Sequence, residues 1–293
     1  MPRQLETGTL WEKVVTTTQQ AISDKCLYTI ETQSRQIQQQ GLNFTVRLAN
    51  NIKRKRAEKK AQPEFNPFLP PESALTVCDI SPSHLAVLNK FNVVDHHLLI
   101  ITREYQTQQS LLDRADFSAL CHCLAEYPSL GFYNAGEAAG ASQKHKHLQL
   151  VPLPLYGAAE PFPFSPVFSS FSQLDGIRQI PQLPFRHAWT RLPEGLFDNP
   201  EQAAVQCHRI YREMLQGLNI KALPDGQNEI QSAPYNLLLT TQWMLLVPRL
   251  TEYCEGISVN AMGYVGSLFV IDQQGLEKLS EIGPLSLLQR VSL

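Results

Sequence analysis

Hydrophobic positions along the chain recur in two rhythms. Short apolar, largely β-branched runs at Leu75–Ile80, His84–Lys90 and His97–Arg103, each bounded by turn residues, predict neighbouring strands of an antiparallel sheet. Gly41–Leu48 alternates apolar and polar residues and predicts a solvent-exposed strand. Helical spacing marks Asp113–Tyr127, with Pro128 and Gly131 beyond its end, and Pro200–Leu218. Thr9–Gln40 predicts a helix followed by a mixed polar segment. Strands are predicted again at Phe132–Asn134, Lys144–Val151, Tyr235–Thr240, Trp243–Pro248 and near Gly263–Ile271, and one helix closes the chain.

Proline and phenylalanine set the organisation between these elements. Pro63, Pro67, Pro70 and Pro71 predict an extended linker. From Pro152 to Pro200 the chain is rich in Pro, Phe and Ser without a period, an excursion that either packs on the domain or covers the site. The aromatic run Phe162–Phe171 within it predicts packing, although one ring could stack on a base. The expected fold class is α+β, an antiparallel sheet with flanking helices in two strand-rich halves. One catalytic unit, 1–293, is expected, made of an N-terminal segment with a basic linker (about 1–70), a core (71–160), the excursion (161–200) and a strand-rich part completing the fold (201–293).

Composition narrows the function. A chain of 293 residues that is 43% hydrophobic can bury a large core. A formal net charge of −2 excludes a protein whose main work is neutralising a nucleic acid, so phosphate binding has to be local. The six cysteines are scattered, and Cys121-His122-Cys123 lacks metal-site spacing, which predicts reduced thiols and a cytoplasmic protein. Met1–Glu6 leads into polar sequence with no apolar h-region, and no apolar run is long enough for a membrane span. The basic run Lys53–Lys60 is either a solvated face or loop, or the source of a lysine that reaches a ligand phosphate. His84, His122, His187 and His208 have no partner at ligand spacing and are expected to be structural or surface residues.

The chemistry concentrates in Lys144-His145-Lys146-His147-Leu148-Gln149. In a strand, His145, His147 and Gln149 share one face while Lys146, Leu148 and Leu150 share the other. Upstream, Asn134–Gln143 supplies glycines, small residues, a hydroxyl and amides, so its backbone N–H groups can approach phosphate oxygens. Neutral imidazole, with an ordinary pKa of about 6.5, is a competent nucleophile toward phosphorus near neutral pH.

Phe132–Gly136 and Gly140–Gln149 together resemble the signature of ATP adenylyltransferases, also called diadenosine tetraphosphate phosphorylases, in the histidine triad superfamily. Leu88–Phe91, Asp95–Thr102, Tyr235–Thr240 and Val259–Tyr264 are similar to further blocks of that family in the expected order. The resemblance implies a histidine-triad-like sheet and a reaction in which His147 attacks the α-phosphorus of the dinucleotide, ATP leaves, and inorganic phosphate takes AMP from the histidine to give ADP. It implies catalytic roles for His147, Gln149 and His145. Gln149 would hold a phosphate oxygen where hydrolases of the superfamily carry a third histidine, and His145 would position the strand and bond the nucleophile through its backbone.

Substrate-binding positions implied by the same resemblance are Asn89 and Lys90, Asn134 and Gly136, the turn Gly140, Ala141, Ser142 and Gln143, the block Asn260, Ala261 and Met262, and an early lysine, Lys55 or Lys53. Partners are nucleotides and phosphate, with no nucleic acid or membrane. No cofactor or protein-bound metal is required, although Mg can travel with the polyphosphate. The chain departs from the pattern at Ile271, where a lysine is expected, and at His96, where asparagine is. Alternatives are a hydrolase of the superfamily, a hexose-phosphate uridylyltransferase, which would carry proline in place of Lys146, and a non-catalytic nucleotide-binding protein.

Overall fold

The computed structural model describes residues 5–49, 65–226 and 228–293. Helix α1 (Leu10–Ser23) buries Leu10, Val14, Thr18 and Ala21 along one stripe. Strands β1 (Thr32–Gln39) and β2 (Leu42–Ala49) form a hairpin turning on Gln40 and Gly41. There follow β3 (Thr76–Asp79), β4 (His84–Leu88), β5 (Leu98–Thr102), α2 (Arg114–Glu126), β6 (Ser129–Ala135), β7 (His147–Pro152), α3 (Ser165–Ser170), β8 (Ala188–Arg191) and α4 (Pro200–Gly217). The chain ends with β9 (Ala222–Asp225), β10 (Asn228–Gln231), β11 (Tyr235–Leu239), β12 (Trp243–Pro248), β13 (Tyr253–Cys254), β14 (Ile257–Ser258), β15 (Ser267–Val270), α5 (Gln273–Ile282) and α6 (Pro284–Val291).

The main sheet runs β3-β4-β5-β7-β6-β11-β12-β8 with every neighbouring pair antiparallel. Its two halves meet where β6 pairs with β11, Tyr235 opposite Ala135. Both faces are covered, which explains why its strands read as near-continuous apolar runs. One core takes Tyr133, Ala135, Leu148 and Leu150 against α1, α2 and α4. The other takes Leu130, Phe132 and Val151 against β2, β15, α3, α5 and α6.

Several elements differ from expectation. β2 is not a solvent-exposed strand: Phe44 and Val46 are fully buried in the second core because β15 pairs alongside in parallel and α5 packs nearby. The polar run before it is a full strand, β1, whose ladder partner is β2. Of the strand expected near Gly263–Ile271 only Ser267–Val270 forms, since Ala261–Val265 is a 3₁₀ turn ended by Gly266. The closing helix is two helices broken at Gly283. Within the excursion, α3 and β8 are regular, and Phe162, Phe164 and Phe168 are buried, Phe168 edge-on to Trp243 at 4.8 Å, as the packing expectation had it.

Behind β7 sits a buried ionic network. Asp113 and Asp116 form a reciprocal capping box at the start of α2. The Asp116 carboxylate also pairs with the Lys146 ammonium and accepts from His84 Nε2 at 3.1 Å, and all three side chains are at most 2% exposed. Lys146 further donates to the Leu111 carbonyl (3.2 Å) and to Gln106 Oε1 (3.1 Å). Burial alone would raise the Asp116 carboxyl, but Lys146 and His84 outweigh it and hold it at about 2. The depressed value means that this stabilisation is complete above the unfolded carboxyl's pKa of about 3.9 and is lost as pH falls through the folded value. Asp116→Asn strands a buried ammonium and should lower stability by about 3–5 kcal/mol in urea unfolding at pH 7. The gap to wild type should close between about pH 4 and pH 2, and a gap independent of pH would contradict this account.

Candidate active site

The nucleophile expected from sequence sits where the sheet opens. The β6–β7 ladder runs from Ser129 opposite Pro152 to Phe132 opposite Gln149 and goes no further. Upstream of His147 the chain pairs instead with the segment around Thr107: Lys146 N donates to Gln106 O and Gln108 N to Lys144 O, both at 2.8 Å. The Gln108 side chain fills the gap. Its Oε1 accepts from His147 N (2.8 Å), and its Nε2 donates to the carbonyls of Asn134 (2.8 Å) and His147 (3.1 Å). A buried amide thus replaces one rung of the ladder and fixes the backbone of His147. Sequence reasoning missed it, because nothing in the polar run Gln106-Thr107-Gln108-Gln109 sets Gln108 apart.

His147 is 3% exposed, and its Nδ1–H donates to the His145 carbonyl at 2.8 Å, which leaves the Nε2 lone pair without a partner among the described residues. Burial pulls its pKa down to about 4, so the ring is neutral at pH 7. His145 Nε2–H points at the Thr102 carbonyl (2.9 Å), and Nδ1 accepts from Asn66 Nδ2 (3.0 Å). Burial lowers its pKa as well, partly offset by the Thr102 and Glu104 carbonyls. The Phe68 ring packs on both imidazoles at 5.5 and 5.4 Å. The two histidines therefore share one face, as the alternation requires, and Lys146 occupies the other.

Gln149 lies two residues on, with Oε1 accepting from His97 Nε2 (3.0 Å), while His97 Nδ1 accepts from Asn89 Nδ2 (3.2 Å). This relay orients the amide: with its oxygen held by His97, its nitrogen is the end left for a ligand oxygen. Asn89 thereby joins the site through His97. Lys90, beside it, is half-buried and its ammonium pairs with Glu72 at 2.8 Å. Lys53 and Lys55 lie outside the described residues. His96, where asparagine was expected, has a φ of 58°, the left-handed conformation that asparagine adopts readily, and its ring bonds Thr18 at 3.2 Å.

The turn after β6 folds against the Asn260–Met262 block. Asn134 Oδ1 accepts from Asn236 Nδ2 (2.8 Å) and from Ala261 N (3.0 Å). Asn260 Oδ1 caps its own 3₁₀ turn by accepting from Met262 N at 3.0 Å. Inside the turn, the N–H groups of Ala139, Gly140 and Ala141 bond back to Gly136 and Glu137 carbonyls, so Gly140 and Ala141 shape the cradle and do not donate outward. The amides and side chains of Ser142 and Gln143 have no partner among the described residues and are the donors left for an anion.

Of the histidines expected to be structural or surface residues, His84 bonds Asp116 at 3.1 Å, and His187 is buried and accepts from Ile180 N at 2.7 Å. Among the described residues no group of three or more His, Cys, Asp or Glu could hold a metal ion, and no helix is long and apolar enough to cross a membrane. Gly140 is held close to its neighbours: at φ 89°, an added Cβ would lie 2.8–2.9 Å from Asn260 and the Val259 carbonyl. Gly140→Ala should destabilise the fold by about 1–3 kcal/mol and push the turn off this block. A denaturant midpoint unchanged from wild type would show that the turn is not seated there.

Comparison with known proteins places this geometry. Residues 1–170 match the model of the Ap4A phosphorylase N-terminal domain, and residues 181–293 match that of the ATP adenylyltransferase C-terminal domain. Diadenosine 5',5'''-P1,P4-tetraphosphate phosphorylase 2 of Saccharomyces cerevisiae is 30% identical over 259 residues, covering 78% of this chain and 74% of the relative. Protein APA1 of the same yeast is 29% identical over 244 residues, covering 74% and 72%. The crystal structure of yeast Ap4A phosphorylase Apa2 in complex with AMP superposes with a TM-score of 0.78 at 24% identity, over 100% of this chain and 99% of that one. Its complex with Ap4A gives 0.75 over 99% and 98%. With the two family models together spanning almost its whole length, the chain belongs to the Ap4A phosphorylase and ATP adenylyltransferase family.

Proposed function

We propose that the chain is a nucleotidyltransferase that cleaves diadenosine tetraphosphate with inorganic phosphate to ATP and ADP, reversibly, through AMP carried on His147. The observation that carries the reading is the state of that imidazole: buried, neutral, its Nδ1–H held by the His145 carbonyl and its Nε2 free. Nε2 attacks the α-phosphorus, an Nε2–P bond forms, and the bond from phosphorus to the polyphosphate oxygen breaks to release ATP. The imidazole then carries positive charge, which the His145 carbonyl stabilises through the Nδ1–H bond. A phosphate oxygen next attacks phosphorus, the Nε2–P bond breaks, and ADP leaves.

Gln149 favours transfer over hydrolysis. Its amide nitrogen can hold a phosphate oxygen of the intermediate but cannot take a proton from attacking water as an imidazole could. Asn134, Gly136, Ser142 and Gln143 are the proposed phosphate-side contacts, Asn89 a nucleotide contact, and the Asn260–Met262 block the wall opposite. Lys55 or Lys53 remains the proposed early phosphate ligand. We also place the enzyme in the cytoplasm among free nucleotides, with neither nucleic acid nor membrane as partner.

Incubating pure protein with diadenosine tetraphosphate should yield equal ATP and ADP only when phosphate is present, and His147→Ala should lower the rate by at least about a thousand-fold. AMP and ATP appearing without phosphate would mean a hydrolase. Acid inactivates the nucleophile by protonating Nε2, so single-turnover ATP release should hold level down to about pH 5 and decline toward the folded pKa of about 4. A decline centred near 6.5 would show that the ring is not desolvated as described.

A further inference from the structure

Directly after β12 the chain buries an arginine that neither periodicity nor the family resemblance singled out. Arg249 is 1% exposed, and no carboxylate among the described residues lies within ion-pair distance of it. Its five N–H donors are all used, each on a neutral oxygen. Nε donates to the Val291 carbonyl (3.2 Å), Nη1 to the Ala139 carbonyl (3.3 Å) and Asn236 Oδ1 (2.5 Å), and Nη2 to the carbonyls of Thr251 (2.7 Å) and Val259 (2.9 Å). Burying a cation without a counter-ion is costly, and an apolar side chain would fill the same volume more cheaply. The position explains what the cation is kept for.

Each of these oxygens except those of Thr251 and Val291 belongs to the walls of the phosphate site. Ala139 is part of the turn between β6 and β7, and Val259 is the segment against which Gly140 packs. Asn236, its oxygen held by Arg249, aims Nδ2 at Asn134 Oδ1 (2.8 Å) and the Ala139 carbonyl (2.9 Å). With Asn134 Oδ1 taken by Asn236 and by Ala261 N, its Nδ2 is left without a partner among the described residues. One guanidinium thus fixes the turn, the end of β6 and the late block relative to one another.

We propose that Arg249 is a positioning residue for the phosphate cradle, acting through Asn236 and the Ala139 and Val259 carbonyls. The proposal rests on the reading that this turn holds the phosphates of the dinucleotide. A lysine keeps the charge but cannot bridge these walls, because it lacks the planar fork.

The test compares wild type, Arg249→Lys, Arg249→Met and Asn236→Ala as full-length proteins. Thermal melts are run alongside calorimetric binding of inorganic tripolyphosphate and of adenosine, and alongside kcat and KM for diadenosine tetraphosphate. For variants that remain folded at the assay temperature, tripolyphosphate binding should weaken ten-fold or more while adenosine binding stays within two-fold. kcat/KM should fall in parallel, with Arg249→Lys between wild type and Arg249→Met. Should both arginine variants fail to fold, Asn236→Ala still reads the link to Asn134, since it leaves Arg249 in place. Folded variants that bind tripolyphosphate as wild type does would overturn the proposal and leave Arg249 a clamp on the core. A wild-type protein that neither binds tripolyphosphate nor turns over the dinucleotide would instead overturn the functional reading beneath it.

Discussion

A strand covered on both faces sends alternate side chains into two separate cores, and β7 with the residue that leads into it has to place polar groups in both of them. That constraint organises the rest of the structure. On one face Lys146 is admitted because Asp116, His84 and a main-chain carbonyl await it. On the other, His147 and Gln149 are admitted because a carbonyl and a second histidine take one end of each, leaving the opposite end for a ligand. Apart from the His145 carbonyl, these partners come from other elements, so the site is complete only once the sheet, α2 and the turn regions have assembled.

The electrostatics follow from the same arrangement. Burial removes the charge from both imidazoles at neutral pH, which leaves His147, the proposed nucleophile, neutral without a general base beside it. Behind the turn that follows β6, the Arg249 guanidinium is held by neutral oxygens. Neutral attacking groups, oriented amide donors and one buried cation together favour a polyanion whose charge is redistributed during transfer, and none of these features needs a net basic chain. The formal charge of −2 is therefore no obstacle to phosphate chemistry.

The two halves of the chain contribute unequal parts. The first supplies the strand of His147, the turn after β6 and the His97–Asn89 relay, and the second supplies Asn236, Arg249 and the 259–262 block that brace that turn. The aromatic excursion between them fills the core under the second half. Its phenylalanines are apolar partners for Trp189 and Trp243, and such packing has no sequence period because it is built from a loop and not from a face.

Local sequence determined a good deal by itself: the strands around Ile100 and Leu238, the two long amphipathic helices, the shared face of His145 and His147, and the turn whose Gly140 tolerates the close approach of Asn260. Those features depend on period, on small residues and on which side of a strand a residue falls, and all are properties of neighbours in the chain. Tertiary structure alone decided the burial of β2, the pairing of the polar strand β1, the use of Gln108 as a rung, the engagement of Lys90 by Glu72 and the hub at Arg249. The deciding partner lies in another element in each case, 110 residues along the chain for Arg249 and Ala139 and farther still for β2 and β15. A polar residue in a sequence carries no mark of whether water or a distant carbonyl will satisfy it, and that choice is made only when the elements pack.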